Sequence, residues 1–127
     1  MSWLIDTDVA IHLRDGSPGI AARIAALDEE PAISIVTLVE LEAGAANDPL
    51  RTKLLERLLQ TIPTLPFDRA EAVAYGRIIA QSGHDRRTVL DRMIAAQAIC
   101  AGRTLITING RDFSRIEGLE LEVWAAP

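Results

Sequence analysis

Apolar and polar positions along this chain alternate between two periods, short apolar runs and helical spacings. Trp3-Leu4-Ile5 is a short apolar run ending at Asp6, which predicts a strand. A short helix is expected from Val9 to Leu13, broken by Asp15-Gly16-Ser17-Pro18, and a second from Ile20 to Leu27. Ala32 to Val36 predicts a strand, and Thr37 opens a helix that closes near Gly44 to Asn47. Leucines at 50, 54, 55, 58 and 59 mark a helix over Leu50 to Leu59. Thr64-Leu65-Pro66 is a weak strand between prolines, which places it at a sheet edge. Arg69 to Ser82 is helical up to Gly83, and Val89 to Ala101 is helical up to Gly102, a residue suited to a C-cap. Thr104 to Ile108 and Leu121 to Trp124 are the remaining strands.

Strands alternating with helices imply right-handed parallel crossovers. The expected fold is α/β, a three-layer α/β/α sandwich with a mostly parallel central sheet, formed by residues 1–127 as one domain. In such sheets the functional crevice lies beyond the carboxyl ends of the strands. That narrows the residues able to share a site. Asp6-Thr7-Asp8 follows the first strand, Thr37 to Glu40 the second, and Asn109-Gly110-Arg111-Asp112 the strand from Thr104. Asp91 opens the helix that leads into that strand, so it falls at the same end of the sheet. Asp6, Glu40, Asp91 and Asp112 therefore converge on one edge.

Composition and charge bear on what that edge does. The chain has 127 residues, 49% hydrophobic and 24% charged, as expected of a globular domain. No apolar stretch approaches the ~20 residues of a membrane span, so no membrane partner is expected. The N-terminus has no basic region preceding an apolar one, so no signal peptide is expected. The one cysteine, Cys100, excludes an internal disulfide, reads as a core residue of its helix, and fits a reducing, cytoplasmic setting. Two histidines and no CxxC pair argue against a zinc site. The net charge of −5 argues against binding nucleic acid through a basic coat. Four carboxylates gathered on a cation would leave the remainder close to neutral, so an enzyme acting on nucleic acid through metal ions stays open.

Four carboxylates cannot gather uncompensated, because their repulsion raises pKa values. Hard divalent cations such as Mg²⁺ and Mn²⁺ are the ordinary compensation. A competing reading is structural. Thr37-x-x-Glu40 and Thr88-x-x-Asp91 fit the capping box, Asn109-x-x-Asp112 fits it loosely, and acids in a first helical turn are favoured by the helix dipole. The two readings are compatible if the threonines cap while the acids face the crevice.

These motifs resemble those of PIN-domain ribonucleases, and specifically the VapC toxins of type II toxin–antitoxin pairs. Leu4-Ile5-Asp6-Thr7-Asp8-Val9 is similar to the first family motif, and Ser34 to Gly44, with Thr37, Glu40, Leu41 and Gly44 in register, to the second. Asp91 to Ala98 is similar to the third; Leu105 to Phe113, followed by Ile116 and Gly118-Leu119, is similar to the fourth. The resemblance implies that Asp6, Glu40, Asp91 and Asp112 bind one or two Mg²⁺ or Mn²⁺ ions and hydrolyse RNA phosphodiesters. It also implies a homodimer and a cognate antitoxin whose C-terminal segment blocks the site. Thr107, Asn109, Thr37 and Asp8 are expected to support the acids, and Arg86, Arg87, Arg92 and Arg111 to meet RNA phosphate. The chain departs from the pattern at Glu122-Val123-Trp124, where an acid directly before the tryptophan is frequent, and in the lead-in His84 to Leu90.

Two other readings use the same acids. A signalling receiver needs a lysine at a late strand end, and the only lysine, Lys53, lies inside the leucine-rich helix. A catalytically silent PIN fold used for protein binding would have no need of all four acids.

Overall fold

The computed structural model describes residues 1–127. The chain runs β1 (Trp3–Ile5), α1 (Thr7–Arg14), α2 (Pro18–Ala25), β2 (Ile33–Ser34), α3 (Ile35–Ala45), α4 (Pro49–Thr61), β3 (Thr64–Leu65), α5 (Arg69–Ser82), α6 (Val89–Ala101), β4 (Thr104–Thr107) and β5 (Leu121–Val123). Single 3-10 turns occupy Arg86–Thr88 and Gly110–Asp112.

Every strand pairing is parallel: β1 with β4, β4 with β5, and β2 with β3. A bridge between Leu4 and Ala32 joins the two groups, with Ile5 N–H donating to Ala32 O at 3.0 Å and Ala32 N–H to Trp3 O at 3.0 Å. The spatial order is therefore β3-β2-β1-β4-β5. Strands buried on both faces should be apolar throughout rather than alternating, and Trp3, Leu4 and Ile5 are all buried. Side chains nonetheless leave a strand on opposite faces. Trp3, Ile5, Ile33 and Ile106 join Val9, Leu41, Leu55 and Leu58 in one apolar layer. Leu4, Ala32 and Leu105 join Ala74, Ile78, Ile94 and Phe113 in the other. The expected α/β/α sandwich follows from this split.

Most element ends differ from the expectation by one or two residues, and the difference at the junction of β2 and α3 has a clear cause. The strand predicted to Val36 ends at Ser34, and α3 begins at Ile35 instead of Thr37. Ser34 is the cause. Its hydroxyl accepts Val36 N–H at 3.0 Å, an N-cap that starts the helix at once. The same hydroxyl donates to Gln97 Oε1 at 3.1 Å, and Gln97 Nε2 donates to Pro66 O at 3.0 Å. A buried glutamine on α6 thus ties β2 to the segment following β3. Cys100, expected in the core, is exposed, with its thiol reaching Ala70 O at 3.4 Å; it lies in the last turn of α6, just past the buried run Ile94 to Ala98. Helix α6 stops as expected at Gly102, whose φ of +63° is left-handed.

Candidate active site at the carboxyl edge of the sheet

Asp6 is both a helix cap and the most enclosed acid of the site. It stands between β1 and α1 with 4% of its surface exposed. Oδ1 accepts Val9 N–H at 3.0 Å, which caps α1, and Oδ2 accepts the Thr107 hydroxyl at 2.5 Å. Burial pushes its carboxyl up to about 6, reinforced by the charges of Asp8 and Asp112 and opposed by the Thr107 and Val9 hydrogen bonds. Thr107, buried at the end of β4, accepts Asn109 N–H at 2.9 Å, so its own proton is committed to Asp6. The Asn109 side-chain amide donates in turn to the Asp8 carboxylate.

Asp91 lies in the first turn of α6, half-buried. Burial raises its carboxyl to about 6, and the charges of Asp112, Asp6, Glu40 and Asp8 add to the rise. Five carboxylates from three separate stretches of chain and one helix start thus sense one another at one edge of the sheet. Glu40, on α3, accepts the Thr7 hydroxyl at 2.6 Å, and Thr7 Oγ1 lies 3.1 Å from Thr37 Oγ1. Asp112 ends the 3-10 turn after β4 and is exposed.

The capping alternative fails at all three helix starts. Thr37 lies inside α3 and turns its hydroxyl to Thr7, while the cap is Ser34. Thr88 donates to Asp85 O at 3.1 Å, and neither it nor Asn109 makes a side-chain cap bond. A Glu reaching back to its own helix start occurs elsewhere, on α5, where Asp68 N–H donates to Glu71 Oε1 at 2.6 Å. The acids of the site are therefore free of that structural duty, apart from Asp6.

No three His, Cys, Asp or Glu side chains are arranged to enclose a metal by themselves. Mg²⁺ and Mn²⁺ do not require such a cage, since they use one or two carboxylates and keep waters. The all-oxygen donor set and the charge it gathers fit a hard cation.

The basic residues divide. Arg92 donates to Gly83 O, and Arg87 lies 3.6 Å from Asp85. Arg86 and Arg111 are exposed and have no ion-pair partner. Glu122 accepts the Trp124 indole N–H at 2.9 Å, so its carboxylate is engaged where the family pattern departs. Thr7 is the residue whose role escaped sequence reasoning. It sits between two marked acids, and only the fold shows its hydroxyl turned to α3.

Acids gathered beyond the carboxyl ends of a parallel sheet, two of them hydrogen-bonded by threonines, mark this chain as an α/β/α-sandwich protein with an acidic sheet edge. A family model described as the PIN domain matches residues 3–119, and the chain belongs to that family. Among curated relatives, a tRNA(fMet)-specific endonuclease VapC from Shigella flexneri is 30% identical, covering 98% of this chain and 99% of its own. Ribonuclease VapC1 from Rickettsia felis is 35% identical, covering 95% of each chain. Among solved structures, a DNA-bound VapBC from Salmonella typhimurium aligns with a TM-score of 0.83 and 28% identity, over 98% of this chain and 99% of that one.

Proposed function

We infer that this chain is a VapC-type ribonuclease toxin held inactive by a cognate antitoxin. The observation that carries the site assignment is the convergence of Asp6, Asp91 and Asp112 at the carboxyl edge, where burial, reinforced by neighbouring carboxylate charges, raises Asp6 and Asp91 to about 6. Asp6, Glu40, Asp91 and Asp112 would hold one or two Mg²⁺ or Mn²⁺ ions. Such a cation supplies Lewis-acid polarisation of a phosphodiester oxygen and lowers the pKa of water.

The protein's own groups do the rest. Thr107 keeps Asp6 oriented and favours its charged form. Asn109 holds Thr107 and Asp8 in place. Arg86 and Arg111, exposed and unpaired, are suited to contact RNA phosphates. Transfer RNA is the substrate to test first, in view of the relatives named for it. The antitoxin would present a basic side chain to the same carboxylates, and the toxin would act as a homodimer.

The test is cleavage of total bacterial RNA, including tRNA, by antitoxin-free protein with Mn²⁺ or Mg²⁺, beside EDTA and D6N lanes. Discrete fragments from wild type alone, lost with EDTA, support the reading. Folded protein that neither cuts RNA nor binds Mn²⁺ overturns it in favour of a binding-only PIN fold.

A further inference from the structure

We propose that Thr7 is a positioning residue for Glu40, acting with Thr37 as a two-hydroxyl relay that fixes the carboxylate for the cation. This rests on the metal-site reading above and deepens it. An ionised Glu40 can only accept, so Thr7 must donate its single proton to Oε1 across 2.6 Å. The contact Thr7 Oγ1 to Thr37 Oγ1, 3.1 Å, then has one direction: Thr37 donates and Thr7 accepts. Thr37 is fully buried and lies one helical turn before Glu40 on the same face of α3, so it cannot swing away. The relay ends on a charged acceptor, the arrangement that gives short, strong hydrogen bonds.

Placement explains why this matters. Thr7 is bonded directly to Asp6, so the relay ties the acid of α3 to the acid that follows β1 through a single peptide unit. Glu40 otherwise hangs from a flexible side chain on a half-buried helix face. With Thr7 holding Oε1, the carboxylate plane is set and Oε2 is left for a ligand. Three acids are then braced by neighbours, Asp6 by Thr107, Asp8 by Asn109 and Glu40 by Thr7. No side chain donates a hydrogen bond to Asp91 or Asp112.

The experiment is Mn²⁺ titration by calorimetry of the full chain, with thermal melts alongside, for wild type, T7V, T7A, T7S and E40Q, and for T7V and T7A in the E40Q background. T7V and T7A should each bind Mn²⁺ about tenfold more weakly, and T7S should retain wild-type affinity. In the E40Q background the loss of the Thr7 hydroxyl should have little further effect, because the side chain it orients no longer brings a charged oxygen to the cation. If T7V fails to fold, T7A carries the comparison, since alanine is the best helix former at that first-turn position. Unchanged affinity in the hydroxyl-free variants, an unrescued T7S, or an undiminished effect in the E40Q background overturns the relay while leaving the metal site standing. Wild type that binds no Mn²⁺ overturns the metal-site reading, and the relay with it.

Discussion

The Thr107 hydroxyl donates to Asp6 Oδ2 at 2.5 Å across a strand pair that brings together residues 101 positions apart. It is the only side-chain donor on this carboxylate, and it works against burial, holding the carboxyl lower than enclosure alone would set it. T107V removes the proton and keeps the shape. The Asp6 carboxyl should then rise beyond about 6, so Mn²⁺ binding at pH 7 should weaken about tenfold and its pH midpoint should move alkaline. T107S should restore both. Mn²⁺ titrations between pH 5.5 and 8.5 check this; an unmoved midpoint would show that Thr107 is an ordinary strand residue.

Raised carboxyls also make the metal-free fold pH-sensitive. Asp6 and Asp91 go from 3.8 to about 6 on folding, so the folded state holds their protons more tightly than the unfolded chain does. Their contribution to stability is fully present below pH 3.8 and is lost as pH rises through about 6. Metal-free wild type should therefore lose stability relative to D6N mainly between about pH 4 and 6 and level off above that. At pH 7.5, D6N should be more stable by about 1–2 kcal/mol, below the unscreened limit of about 1.4 kcal/mol per pKa unit. Urea melts at several pH values in EDTA measure this. D6N and D91N should also lose RNA cleavage while staying folded.

A divalent cation should reverse that destabilisation. Mn²⁺ at about 100 times its dissociation constant stabilises a fold by about 2.7 kcal/mol, on the order of 10 °C in a domain of this size. The gain should be larger at pH 8 than at pH 6, because protons compete for Asp6 and Asp91. EDTA should abolish it, and D91N should largely remove it. A melting temperature indifferent to Mn²⁺ in wild type would argue that the acids hold no cation.

Much of this was legible in the sequence because it depends on local rules. Apolar runs of strand length, glycine after α6 and proline around β3 fixed the element order, and parallel crossovers then placed Asp6, Glu40, Asp91 and Asp112 at one edge. Less legible was anything settled by a contact between distant segments. Ser34 cuts β2 short through its cap on α3 and its bond to Gln97, which is 63 residues away. The capping-box spacing at Thr37 was genuine as a pattern, yet the competing partner was Thr7, 30 residues back. Cys100 looked buried by its neighbours in sequence, but helix rotation turns it outward.

Gly110 shows how closely the last acid is placed. A Cβ at that position would sit 2.9 Å from Val123 Cγ2 and 3.3 Å from Cγ1, so with Val123 in this rotamer the turn carrying Asp112 packs against β5 with no room for a side chain. The backbone there is in an ordinary conformation, so the need for glycine is steric rather than conformational. G110A must turn the Val123 side chain out of its rotamer, push the turn outward or tilt β5. Overpacking of this kind costs about 1–3 kcal/mol, and displacing Asp112 by even a fraction of an ångström should lower cleavage roughly 10- to 100-fold. Val123 is more than half exposed, so trimming it to alanine costs little by itself, within about 0.5 kcal/mol. V123A should leave activity intact in the wild-type background and recover most of what G110A loses. Cleavage rates and melts of the two single variants and the double variant decide the matter. A double variant as impaired as G110A would mean that the glycine is required by something other than Val123.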